Sequence, residues 1–121
     1  MIILAPIFIN STFMYRGNIE LPITAGTGYS WFISKKSSDK INAKLLRNIF
    51  PPNIVGAKGK STWQITIFPD YSEQTYKLTF IKKRPWLDEI VDRTEIVCHL
   101  GVYNVSCQNF TAIPGKTFPT T

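Results

Sequence analysis

The chain has 121 residues, 44% hydrophobic and 13% aromatic, enough apolar side chain for one packed domain and too much for a disordered segment. Fourteen Lys and Arg against eight Asp and Glu leave a formal charge of +6, which favours acidic partners. Only Lys35-Lys36 and Lys82-Lys83-Arg84 cluster, so the concentrated basic face of a nucleic-acid site is not indicated, and no apolar run is long enough to cross a bilayer as a helix.

Residues 1–15 are apolar and carry no charged side chain. They lack a basic n-region and a small-residue cleavage site, so they read as a first strand rather than a signal peptide. Within them, residues 7–15 follow Pro6 and are strand-like. Residues 18–21 alternate polar and apolar, and 29–34 are aromatic and β-favouring. In the next stretch Ile41, Leu45, Leu46 and Ile49 recur at helical spacing, with Asp39 available as a cap. A helical turn over residues 39–48 is therefore one reading, ended by Phe50-Pro51-Pro52. Residues 63–68 set Trp63, Ile65 and Ile67 against Gln64, Thr66 and Phe68. Residues 76–81 set Tyr76, Leu78 and Phe80 against Lys77, Thr79 and Ile81. Residues 94–100 and 102–105 close the set.

Period-two alternation with one polar face marks an antiparallel sheet half exposed to water. The expected fold is all-β, an immunoglobulin-like antiparallel sandwich of about seven strands. The domain is placed at residues 1–105 and a C-terminal tail at 106–121, whose last residues are rich in Thr and Pro.

Two cysteines, Cys98 and Cys107, are too few for a disulfide scaffold. Unpaired thiols in a reducing, cytoplasmic compartment are the expectation, with one bridge as the alternative. Three sequons, at Asn10, Asn104 and Asn109, point the other way and leave a vesicular or secreted location open.

Catalysis finds no support. The single His, His99, follows Cys98 directly, and neighbours on a strand point to opposite faces, so they cannot pair as base and nucleophile. Two Cys and one His fall short of a metal-ligand set, and no phosphate-binding Gly loop precedes a helix. Neither an enzyme nor a cofactor is expected.

The loops are more informative. In a sandwich, consecutive connections fall on alternating ends. If the connection at 15–18 is at the bottom, those at 22–28, 52–60 and 83–93 share the top, and those at 35–42 and 69–73 share the bottom. The bottom loops are ordinary polar turns. The top loops carry Gly, Thr, Pro, apolar residues and a Trp, a composition suited to a recognition surface on a rigid scaffold. Arg84-Pro85-Trp86 stands out among them. Pro85 ends the preceding strand, leaving Trp86 at a turn tip beside Arg84, a frequent hot-spot composition. The competing reading has Trp86 fold back to plug the core. Trp31 and Trp63 lie on strands and are expected in the core, while Gly28 and Gly59 would also serve as plain hairpin residues.

Taken in order, Gly28-Tyr29-Ser30-Trp31, Gly56-Ala57-Lys58-Gly59 and Arg84-Pro85-Trp86 resemble the three signature segments of the chagasin family, protein inhibitors of papain-family cysteine peptidases. The first family segment reads Asn-Pro-Thr-Thr-Gly-aromatic-x-Trp. Here Thr24-Ala25-Gly26-Thr27-Gly28-Tyr29-Ser30-Trp31 keeps the second Thr, the Gly, the aromatic and the Trp. The second reads Gly-x-Gly-Gly, with Lys58 here in place of a Gly; the third is intact. The resemblance covers residues 17–100.

It implies a reversible, noncovalent, competitive inhibitor that fills the peptidase cleft with three loops. Thr24, Ala25, Gly26, Thr27, Gly28 and Tyr29 would sit over the catalytic Cys of the peptidase. Gly56, Ala57, Lys58 and Gly59 would flank one side, and Arg84, Pro85 and Trp86 the other, with Trp86 as apolar anchor. A Gly-Thr-Gly tip is narrow and exposes its amides. Gly26 loosens the free loop and raises the ordering cost of binding, and Lys58 is expected either to strain a loop that wants Gly conformations or to change its shape. The free protein is expected to be a monomer that binds neither nucleic acid nor membrane. The rival readings are an immunoglobulin-like adhesion module without a peptidase target and a single-strand nucleic-acid binder.

Overall fold

The computed structural model describes residues 2–51 and 56–111. Val55, part of the second loop as read from sequence, and tail residues 112–121 lie outside the described residues. The described chain is all strand and turn: β1 (Ile2–Ile9), β2 (Thr12–Thr24), β3 (Ser30–Lys36), β4 (Ile41–Ile49), β5 (Lys58–Ile67), β6 (Thr75–Lys83), β7 (Asp92–Leu100) and β8 (Val105–Thr111). All neighbours pair antiparallel in the order β3-β6-β7-β8-β1-β2-β5-β4. The edge strands β3 and β4 approach each other, so the sheet nearly closes.

β1 joins the two halves. Its first residues, Ile2–Leu4, pair with β8, and its last, Ala5–Ile9, pair with β2. One core fills the space between the halves. Ile19, Leu21, Trp63, Ile65 and Ile67 come from one side, and Trp31, Tyr76, Leu78, Phe80 and Ile96 from the other. Trp63 meets Phe80 edge-on at 5.0 Å between ring centres, a favoured aromatic geometry. The alternation over 63–68 and 76–81 thus reads out directly as inward residues, with Tyr76, Leu78 and Phe80 fully buried.

Eight strands stand where about seven were expected, and four local readings change. The strand expected over 7–15 is broken by a two-residue turn at Asn10 (φ 49°) and Ser11 (φ 65°). Paired positive φ values match the right-handed twist of a hairpin. No connection exists at 15–18, where β2 runs straight through. Gly17 is there because Leu4 crosses above it: a Cβ would stand 2.6 Å from Leu4 Cδ2. Since one turn was displaced rather than gained or lost, the alternation of ends still holds.

Residues 41–49 are the edge strand β4, not a helical turn. A bulge between Leu45 and Arg47 inserts an extra residue against β5 and turns a two-residue alternation into spacing that imitates a helix. Leu45, Leu46 and Ile49 are exposed, so no buried helical stripe existed to reward that alternative. Residues 105–111 form β8, paired with β7 along its length and with β1 over Val105 to Cys107, which the sequence did not indicate.

The cysteines are also corrected. Cys98 and Cys107 face each other across β7 and β8, with Cα atoms 4.0 Å apart, and are joined in a disulfide. The register places them directly opposite, a pairing that exists because β8 returns beside β7. His99 points to the other face of β7, as expected, and its Nδ1 lies 3.3 Å from Thr75 Oγ1.

Candidate functional site

The strand register brings the three loops together. Thr24 at the end of β2 pairs with Lys58 at the start of β5, and Ser30 at the start of β3 pairs with Lys83 at the end of β6. The connections β2–β3, β4–β5 and β6–β7 therefore emerge at one end. The opposite end carries polar turns such as 69–74, where the Ser72 hydroxyl and backbone N–H hold the Asp70 carboxyl below its usual range.

The first loop turns sharply. The Thr27 hydroxyl donates to the Thr24 carbonyl at 2.8 Å, while Gly26 and Gly28 adopt φ of 79° and 77°, values that glycine takes at no steric cost. Among the described residues, the hydrogen bonds that tie this loop to the second are between main-chain atoms. Ala25 N–H donates to Ala57 carbonyl at 2.9 Å, and Gly56 N–H donates to Ala25 carbonyl at 3.0 Å. Such bonds satisfy backbone groups that would otherwise need water.

The third loop closes on the first. Pro85 and Trp86 occupy the middle of a turn that ends with Leu87 N–H donating to the Arg84 carbonyl at 3.1 Å. Arg84 reaches sideways: its Nε donates to the Thr27 carbonyl at 2.9 Å, and its guanidinium lies 4.4 Å from the centre of the Tyr29 ring. A guanidinium over an aromatic face is attracted by the ring quadrupole. Trp86 rests against Gly28 yet remains 68% exposed. It does not plug the core; Trp31 does, buried on β3 with its Nε1 donating to the Pro22 carbonyl at 2.8 Å. Trp63 is likewise buried.

The structure thus brings Thr24 to Tyr29, Gly56, Ala57 and Arg84 to Trp86 together at one end. Lys58, paired with Thr24, and Gly59 sit at the same end but lie in the first residues of β5 rather than in the loop. Lys58 has no left-handed backbone, so the expected strain is absent. Gly59 is needed for packing, because a Cβ there would run into the Ile49 carbonyl and come within 2.7 Å of Phe50 Cδ1.

Two features escaped the sequence reading. A cleft of about 370 Å³ lies between the first and third loops, lined by Thr24, Thr27, Tyr29, Lys82, Val91 and Asp92. Beyond Trp86, Leu87, Ile90 and Val91 are also exposed and extend the apolar surface of the third loop. Their apolar character next to Asp88 and Glu89 was the available signal. Among the described residues no cluster of His, Cys, Asp or Glu could hold a metal ion.

A family model, the Chagasin family peptidase inhibitor I42, matches residues 15–100. The chain belongs to this family. The match runs from the start of the core in β2 to the end of β7 and includes all three loops. It makes the protein a peptidase inhibitor rather than an enzyme. No curated protein and no solved structure matches the chain.

Proposed function

We propose that this chagasin-family protein is a reversible, noncovalent, competitive inhibitor of papain-family cysteine peptidases, and that its immunoglobulin-like sandwich inserts the three gathered loops into the peptidase cleft. The observation that carries this reading is the continuous end surface, on which backbone bonds join loops one and two and Arg84 joins loops one and three. On it, Thr24–Gly28 forms the narrow tip for the centre of the cleft. Gly56 and Ala57 supply main-chain contacts on one side, and exposed Trp86 anchors the other.

An inhibitor of this kind must fill the groove without offering a cleavable peptide in productive geometry. The turn of the first loop does this by holding residues 24–28 bent through its own hydrogen bonds, where a substrate lies extended. Preorganisation lowers the ordering cost of binding. The Ala25–Ala57 and Arg84–Thr27 bonds offset the freedom that Gly26 adds to the tip.

The test is a titration against papain, and then a cathepsin-type endopeptidase, with a fluorogenic peptide substrate. Substrate-competitive inhibition that reverses on dilution is expected. No inhibition of either at micromolar protein would overturn the proposal and favour a binding module without a peptidase target.

A further inference from the structure

The end of the sheet away from the three loops carries a feature the inhibitory reading does not use. β1 and β2 are joined by the two-residue turn at Asn10 and Ser11, both exposed and both at positive φ. The turn residues and the first residue of β2 spell Asn10-Ser11-Thr12, a sequon for N-linked glycan, which calls for a surface turn in a chain that enters an oxidising compartment. Two independent observations supply the rest of the site. The Cys98–Cys107 disulfide belongs to such a compartment. Phe8, two residues before the acceptor, is 71% exposed at the end of β1, with its ring 5.0 Å from that of Phe13.

An aromatic ring left this open at a hairpin tip contributes little to the core. The C–H face of a sugar ring is apolar and weakly positive, and it complements the negative face of an aromatic ring. We infer that Asn10 is an N-glycosylation acceptor and that Phe8 packs against the first N-acetylglucosamine of the attached glycan. In the transfer, the Asn10 side-chain nitrogen forms a bond to C1 of a sugar carried on a lipid diphosphate. The C1–oxygen bond to the diphosphate breaks, the lipid diphosphate leaves with the electron pair, and the amide nitrogen gives up one proton.

The other two sequons fit less well. Asn109 lies inside β8, paired with Ile96 of β7, and it already has an interaction partner. Asn104 is exposed in the β7–β8 turn, but no aromatic residue stands two positions before it.

The test directs the full chain into the secretory pathway of a eukaryotic cell and reads it by intact mass and peptide mapping, before and after enzymatic deglycosylation. A glycan mapping to Asn10 is expected, lost completely in Asn10→Gln and in Thr12→Ala, and present at lower occupancy in Phe8→Ala. Chain retained in the cell is read the same way from the lysate, since transfer precedes secretion. An unmodified Asn10 in a chain whose cysteines resist alkylation overturns the proposal, as does glycan confined to Asn104 or Asn109. Full occupancy in Phe8→Ala would remove the stacking role.

Discussion

Trp86 packs against Gly28 so closely that a methyl group on Gly28 would stand 2.7 Å from Cη2 of the indole. The first loop therefore provides the floor on which the third loop's anchor rests. Gly28 is also left-handed, at φ 77°, where an L side chain costs about 1–3 kcal/mol. Gly28→Ala is expected to displace Trp86, shift its fluorescence and weaken inhibition, and to lower thermal stability by about the strain energy just given. An unchanged emission spectrum and inhibition constant would show that the ring does not depend on this floor.

Trp86→Ala isolates the anchor. The side chain is mostly exposed, so its removal leaves the core intact, whereas truncating a central interface Trp costs roughly 2 kcal/mol or more. The inhibition constant should rise more than tenfold, by about that energy, while the melting temperature stays close to that of the parent. A folded variant of full potency would remove Trp86 from the interface.

Arg84→Lys keeps the charge and loses the fork. The bond from Nε to Thr27 needs a guanidinium, and the same group lies over the Tyr29 ring, a contact that a Lys ammonium would have to remake from a different position. Together they are worth about 1–2 kcal/mol, and inhibition should weaken several-fold. A double-mutant cycle with Tyr29→Leu should give a coupling above about 0.5 kcal/mol. Strict additivity would mean that Arg84 acts without Tyr29.

The disulfide makes a prediction about stability alone. It closes a short loop between Cys98 and Cys107, nine residues apart, for which chain-entropy arguments give about 2–3 kcal/mol. Thermal melts with and without reductant should separate by that amount, and the Cys98→Ala, Cys107→Ala double variant should melt with the reduced protein. Coincident melts would show that the bridge adds nothing to the fold.

How much of this was legible depended on whether the signal was local. Trp63, Ile65 and Ile67, and Tyr76, Leu78 and Phe80, declared their inward face because a strand's period is fixed by its own backbone. Pro85 likewise announced the turn that carries Trp86. The misread segments owe their structure to distant partners. β4 is a strand because β5 lies beside it, and its bulge disguised the period. Gly17 looked like a turn residue, and only the approach of Leu4 explains it. The Cys98–Cys107 bond depends on β8 returning beside β7. In the candidate site, the motif residues were readable, but the Arg84–Thr27 and Ala25–Ala57 bonds that unite the loops were not. Those bonds span 57 and 32 positions in sequence and involve carbonyl groups that every residue has.

At Ala25, Gly56 and Ala57 the hydrogen bonds between the first two loops run from main chain to main chain. Evolution can therefore alter the letters at 25 and 57 while the joint survives, and divergence from a family motif at these places says little about loss of shape. The same joint restricts protein engineers. Transplanting residues 24–29 alone into a foreign scaffold would leave the Ala25 amide and carbonyl without their partners. The smallest portable unit is the pair of loops together with the β2–β5 rung, Thr24 opposite Lys58, from which both spring.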